Sequence, residues 1–155
     1  MFGFGEKTGK DIKYYDNGQK EIEINLVKGK RSGLMAGWHE NGQKSIEGAW
    51  LNDETQMGTW TTWHENGNKS GHVEFDIFGH QVGESISWHE NGQMKAQCAI
   101  NDDGVSEGLY TEWHSNGQKS EEGSLVSGLK DGKFTRWDES GEVVAIDEYK
   151  NGDLV

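Results

Sequence analysis

The sequence predicts an all-β protein, an elongated single-layer antiparallel meander of about six stacked β-hairpin repeats. Three observations predict it. A block beginning Trp-His-Glu-Asn-Gly returns at a nearly constant interval, and the segments on either side of each Asn-Gly alternate apolar with polar residues. No helical period competes with that alternation anywhere in the 155 residues, and proline, which a ladder of strands tolerates poorly, is absent.

The block stands at Trp38-His39-Glu40-Asn41-Gly42-Gln43-Lys44-Ser45, at Trp63 to Ser70, at Trp88 to Lys95 and at Trp113 to Ser120. Worn copies open the chain (Tyr15-Asp16-Asn17-Gly18-Gln19-Lys20) and close it (Trp137-Asp138-Glu139-Ser140-Gly141-Glu142). Aromatic anchors at Tyr15, Trp38, Trp63, Trp88, Trp113 and Trp137 are then separated by 23, 25, 25, 25 and 24 residues. This spacing divides the chain into an N-terminal extension, residues 1–10, and a single repeat domain, residues 11–155.

Each Asn-Gly lies between two short runs rich in β-branched and aromatic residues, the strongest local signal for a hairpin. Glycine supplies the positive φ such a corner needs. A two-residue type I′ turn and a three-residue turn with a G1 bulge both fit. In the strand after the corner, positions four, six and eight beyond the glycine are apolar, as in Ile22, Ile24, Leu26 and Ile46, Gly48, Trp50, while the intervening positions are polar. In the strand before it the anchor points to one face. Ile12, Met35, Trp60, Tyr110 and Phe134, three residues earlier, point to the other. The connectors between hairpins end on Gly33, Gly58, Gly83, Gly108 and Gly132, with Lys10 in the first repeat, and read as reverse turns. Up to twelve strands result.

A hydrophobic share of 32% is low for a globular chain, but seven Trp and 23 Gly fit a thin layer that buries flat side chains without a deep core. The chain has no apolar run long enough to span a bilayer and no visible signal peptide, and its one cysteine, Cys98, allows no internal disulfide. A cytoplasmic location is expected. The net charge is −12; residues 1–100 hold 14 acids and 10 bases, residues 101–155 hold 13 acids and 5 bases. Nucleic acid and anionic lipid both require cationic neutralisation, so this charge disfavours them and favours a basic protein partner.

Motifs for chemistry do not assemble. His39, His64, His89 and His114 recur two strands apart, ~9–10 Å, whereas zinc ligands must converge on one ion at ~2 Å. Gly104-Val105-Ser106-Glu107-Gly108 matches Gly-x-Ser-x-Gly but lacks the strand-to-helix turn that lifts a nucleophilic serine. Asn101-Asp102-Asp103-Gly104 is oxygen-rich without the full calcium-loop pattern. Cys98 falls at a packing position. No catalytic residue, metal or cofactor is expected.

The unit from Gly33 to Lys44, glycine followed at fixed distance by Trp-x-Glu-Asn-Gly-Gln-Lys, resembles the variant class of MORN repeats, a class that in bacteria is often described as antitoxin-like. The resemblance runs from about Asp11 to Gly152. It implies a sheet of stacked hairpins with a shallow groove on one side, and a role in protein or lipid interaction. Anchors that are mostly Trp, steps above 23 residues and a strongly negative charge set this chain apart from lipid-binding members.

The function expected is therefore a non-enzymatic protein-binding module, an antitoxin or immunity protein that neutralises a basic toxin or effector. The alternative is a scaffold or membrane-associated repeat protein. The residues expected to meet the partner are Trp60, Tyr110 and Phe134, as exposed aromatics, with Glu107, Glu112 and Asp131. The chain is expected to be a monomer or an edge-to-edge dimer.

Overall fold

The computed structural model describes residues 7–155. Among these residues the chain forms β1 (Gly9–Tyr14), β2 (Lys20–Val27), β3 (Lys30–Trp38), β4 (Lys44–Trp50), β5 (Gln56–Trp63), β6 (Lys69–Phe75) and β7 (Gln81–Trp88). It continues through β8 (Met94–Ile100), β9 (Ser106–Trp113), β10 (Lys119–Val126), β11 (Leu129–Lys130), β12 (Gly132–Trp137), β13 (Val143–Lys150) and β14 (Asp153–Leu154). All belong to one open antiparallel sheet in which each strand lies beside the next in sequence, except that β11 and β12 both pair with β10. At ~4.8 Å per strand the ribbon is on the order of 60 Å long.

The excess over twelve strands has two sources. β11 and β12 are one line of strand interrupted at Asp131, both pairing with β10. β14 is an additional rung, closed by Asn151 and Gly152 with φ of 53° and 89°, the two positive φ values of a type I′ turn.

The Asn-Gly corners are three-residue turns. The His39 carbonyl accepts from Gly42 N–H at 2.9 Å and His39 N–H donates to the Gln43 carbonyl at 2.8 Å. Gly42 has φ 84°, but Asn41 is not left-handed, which excludes type I′. A bulge beside each anchor follows, with Gly37 opposite Ile46 and Trp38 opposite Lys44.

The same register moves the first anchor by one residue. Tyr14 pairs with Lys20 as Trp38 pairs with Lys44, and Tyr15 N–H donates to the Gln19 carbonyl as His39 does to Gln43. Tyr14 is thus the anchor and Tyr15 occupies the histidine position. Gly9, with φ 121°, takes the glycine position that Lys10 seemed to leave vacant, so β1 begins inside residues 1–10. Ile12 pairs with Glu23 and lies on the anchor face, not in line with Met35.

The glycines assigned to connectors are inside strands. Gly58 lies within β5, where Glu47 faces Thr61 and Ala49 faces Met57, leaving two extra residues on β5 between those pairs. Gly33, Gly83 and Gly108, with φ of 92°, 73° and 80°, occupy equivalent left-handed positions. A bulge of this kind sharpens the right-handed twist. The true corners come earlier in the chain. They are two-residue turns at Lys28-Gly29 and Ser127-Gly128, and three-residue turns after Leu51, Asp76 and Asn101. The two-residue corners coincide with the 24-residue steps.

One face carries the densest packing. Trp60 is 5% exposed and Phe134 1%. Each ring lies where a neighbouring glycine leaves room: a Cβ on Gly48 would stand 2.2 Å from the Trp60 ring, and one on Gly123 2.4 Å from Phe134. Trp50 and Phe75 meet Trp60 edge-on with centroids 5.4 Å and 6.5 Å away, and Tyr149 meets Phe134 at 5.4 Å.

Candidate functional site

The repeated block builds an edge that bonds to itself. His39, His64, His89 and His114 each place Nε2 2.8–2.9 Å from the backbone carbonyl of the next repeat's anchor, Trp63, Trp88, Trp113 and Trp137. A carbonyl can only accept, so each ring donates through Nε2–H. Tyr15 opens this ladder by donating its hydroxyl to the Trp38 carbonyl at 2.8 Å.

The corner asparagines form a second ladder. Asn41 and Asn66 donate to the carbonyls of Glu65 and Glu90 at 2.6 Å, while their side-chain oxygens accept from the backbone two residues on. The glutamine after each corner lies over the next repeat's glycine, so that a Cβ on Gly67 would stand 2.1 Å from the Gln43 oxygen. On the anchor face, Lys20, Lys44 and Lys69 stand 5.4, 5.4 and 5.9 Å above the rings of Trp38, Trp63 and Trp88.

In the repeat anchored on Trp137 the corner residues change. Asp138 replaces the histidine and turns its carboxylate inward to accept from Ser140 and Glu142 N–H and from the Ser140 hydroxyl. These bonds, that of the Ser140 hydroxyl foremost, hold Asp138 below the usual carboxylate range. The carboxylate is thus spent within its own corner rather than on a neighbouring repeat.

The opposite edge is built from the variable corners. Leu51, Asp76 and Asn101 each donate N–H to the carbonyl four residues on, Thr55, His80 and Val105, at 2.9 Å. All three corners have the same length and register, but only those after Asp76 and Asn101 close alike, with a left-handed glycine third; in the first, Asn52 holds the turn and Glu54 is not left-handed. Their first two turn residues are Asn52-Asp53, Ile77-Phe78 and Asp102-Asp103. In the middle corner Ile77 is 63% and Phe78 72% exposed. The Asp76 carboxylate fastens that turn, accepting from Phe78 N–H at 2.8 Å and His80 N–H at 2.9 Å. Partial burial works to raise its pKa, but the amides of His80 and Phe78 outweigh it and leave Asp76 lowered.

The residues expected to contact a partner fall differently. Trp60 and Phe134 are buried rather than exposed, because Gly48 and Gly123 open slots that draw the rings onto the sheet. Tyr110 is half-buried and donates its hydroxyl to Glu112 on the same face. Burial first, then that hydrogen bond, raises the pKa of Tyr110. Glu107 accepts from Ser127 N–H at 2.9 Å, and Asp131 pairs with Lys150 at 2.9 Å and accepts from Asn151 N–H at 3.3 Å. These two staple neighbouring variable corners. Of the six, Trp60, Tyr110, Glu112 and Phe134 share the packed face. Glu107 and Asp131 lie near the variable edge.

The sequence reading passed over Ile77 and Phe78. The signal was present: two apolar residues at a corner whose counterparts one repeat away on either side are polar. A shallow hollow of about 590 Å³ also opens on the anchor face over β1 to β5, around Leu34, Ala36, Glu47, Ala49, Thr59 and Thr61. Among the described residues no three His, Cys, Asp or Glu side chains converge on a position for a metal ion. No helix among them is long and apolar enough to cross a membrane.

Residues 81–99, 106–126 and 130–151 match the family model of the MORN repeat variant. These matches fall on β7–β8, β9–β10 and β11–β13. β1 to β6 lie outside them but repeat the same corners and bulges. No curated protein matches the chain at a significant level. MORN repeats serve generally as protein- and membrane-interaction modules.

Proposed function

We propose that this chain is a non-enzymatic, cytoplasmic protein-binding module of the antitoxin or immunity kind, holding a basic toxin or effector inactive. The observation that carries this reading is an acidic one-layer sheet, net charge −12, whose repeated polar groups are consumed by internal ladders. What remains to meet another molecule is surface of one dominant charge, suited to steering and holding a cationic protein. Tyr110 and Glu112 contribute from the packed face. Trp60 and Phe134 support that face from beneath, and Glu107 and Asp131 hold its corners in place.

The chain acts as a monomer in this reading. An edge-to-edge dimer would use the open backbone of β13, where Val143, Val144 and Ile146 are more than half exposed.

The test is co-expression with the product of the adjacent gene. Arrested growth caused by that product alone and restored by this chain is the expected result. A purified complex that weakens steeply as salt rises accompanies it. Growth unaffected by co-expression, with no complex between the purified proteins, overturns the reading.

A further inference from the structure

The corners after Asp76 and Asn101 share one backbone, each with a left-handed glycine at the third position, so the second serves as an internal control for the first. Asp102-Asp103 shows that this backbone is content with polar residues at the turn positions; Ile77 and Phe78, 63% and 72% exposed, answer no folding need. The Asp76 carboxylate holds the turn through two amides, and the Phe78 ring lies 6.2 Å from that of His80, so the apolar tip is presented in one shape. Binding anchors of this kind lose little freedom on association.

The surroundings specify the occupant. Adjacent corners on this edge stand ~9–10 Å apart. Asp53 and Glu54 lie on one side of the tip and Asp102 and Asp103 on the other. Arg31 pairs with Asp53 at 3.1 Å, whereas Glu54, Asp102 and Asp103 form no ion pair among the described residues. Carboxylates around an apolar tip repel an anionic membrane surface and complement a cationic protein.

We infer that Ile77 and Phe78 form an anchor that enters an apolar socket on a basic protein, with Glu54, Asp102 and Asp103 facing lysines or arginines at the socket's rim. This deepens the proposed function and rests on it.

The probe is the purified product of the adjacent gene, titrated against the wild type and three variants. I77D/F78D copies the Asp102-Asp103 corner and keeps the fold; its affinity falls at least 100-fold. D102N/D103N loses about 3- to 10-fold and binds with a weaker salt dependence. L34D, on the anchor face, binds as the wild type does. A wild type that binds while I77D/F78D binds equally well overturns the anchor and leaves the partner reading standing. A wild type that does not bind overturns the partner reading and the anchor with it. Two further arms name the other occupants. Retention of the wild type on phosphatidylcholine or phosphatidylglycerol vesicles, or self-association in sedimentation, either one abolished in I77D/F78D, overturns the assignment to a protein socket.

Discussion

The two long edges of this sheet are both made of hairpin corners and spend their side chains in opposite ways. Along the Asn-Gly edge, histidine, asparagine and glutamine each reach the next repeat, so the most often repeated residues are those most fully occupied within the molecule. Along the other edge the corners differ in length, charge and hydrophobicity, and the middle one exposes Ile77 and Phe78. The difference separates repetition from function. A residue repeated in register is bonded to its own copies, and the proposed recognition falls to positions where the copies disagree.

The largest effect expected from breaking this contrast is on stability, at the repeated edge. Each corner asparagine makes one bond to the next repeat and one within its own turn, so N41A, N66A and N91A together should cost about 3 kcal/mol, at ~1 kcal/mol per site. E54A, D102A and D103A together replace exposed side chains that bridge nothing to a neighbouring repeat. Each should stay within ~0.5 kcal/mol. Urea unfolding of the two triple variants measures the contrast directly. Equal midpoints would mean that the ladder adds nothing beyond the strands it joins.

A smaller effect sharpens the same distinction at single glycines. G58A must hold alanine at φ 65° in open space, so it carries backbone strain alone, about 1–2 kcal/mol. G67A meets comparable strain at φ 86° and also places a methyl where the Gln43 carboxamide lies, 2.1 Å from its oxygen. G67A should therefore unfold at lower urea than G58A. Adding Q43A to G67A should close most of the gap, because the side chain in the way is then gone.

Much of this architecture is legible in the chain, for reasons particular residues make plain. Asn-Gly reports a corner because glycine adopts positive φ without strain, and the period reports stacking because every repeat must bury itself on the next. The first anchor was misplaced because Tyr14 and Tyr15 are chemically alike and only pairing with Lys20 tells them apart. The burial of Trp60 and Phe134 depends on Gly48 and Gly123 in the preceding strand, a contact that alternation within one strand does not contain. The in-strand bulges escaped for the same reason, since a left-handed glycine in a strand and one in a turn read alike. Ile77-Phe78 was open to inspection, but it stands out only when the variable corners are aligned with one another.

The smallest effect concerns the ion pairs that accompany the repeated block. Lys20, Lys44 and Lys119 each reach the glutamate three residues on, and Glu23 is held by Lys10 as well as Lys20. The hydrogen bond from Lys10, then that from Lys20, lowers the pKa of Glu23 from 4.5 to about 2. A folded-state pKa below the unfolded value means that the carboxylate adds stability above the unfolded pKa and loses it as pH falls through the folded one. The melting temperatures of wild type and E23Q should differ by a constant amount from pH 7 down to about 4.5, then converge as pH falls to about 2. Solvent and salt screen so exposed a pair, so the difference should be small throughout and shrink further in high salt. A gap that persists at pH 2 would assign the role of Glu23 to packing beside the anchor face rather than to charge.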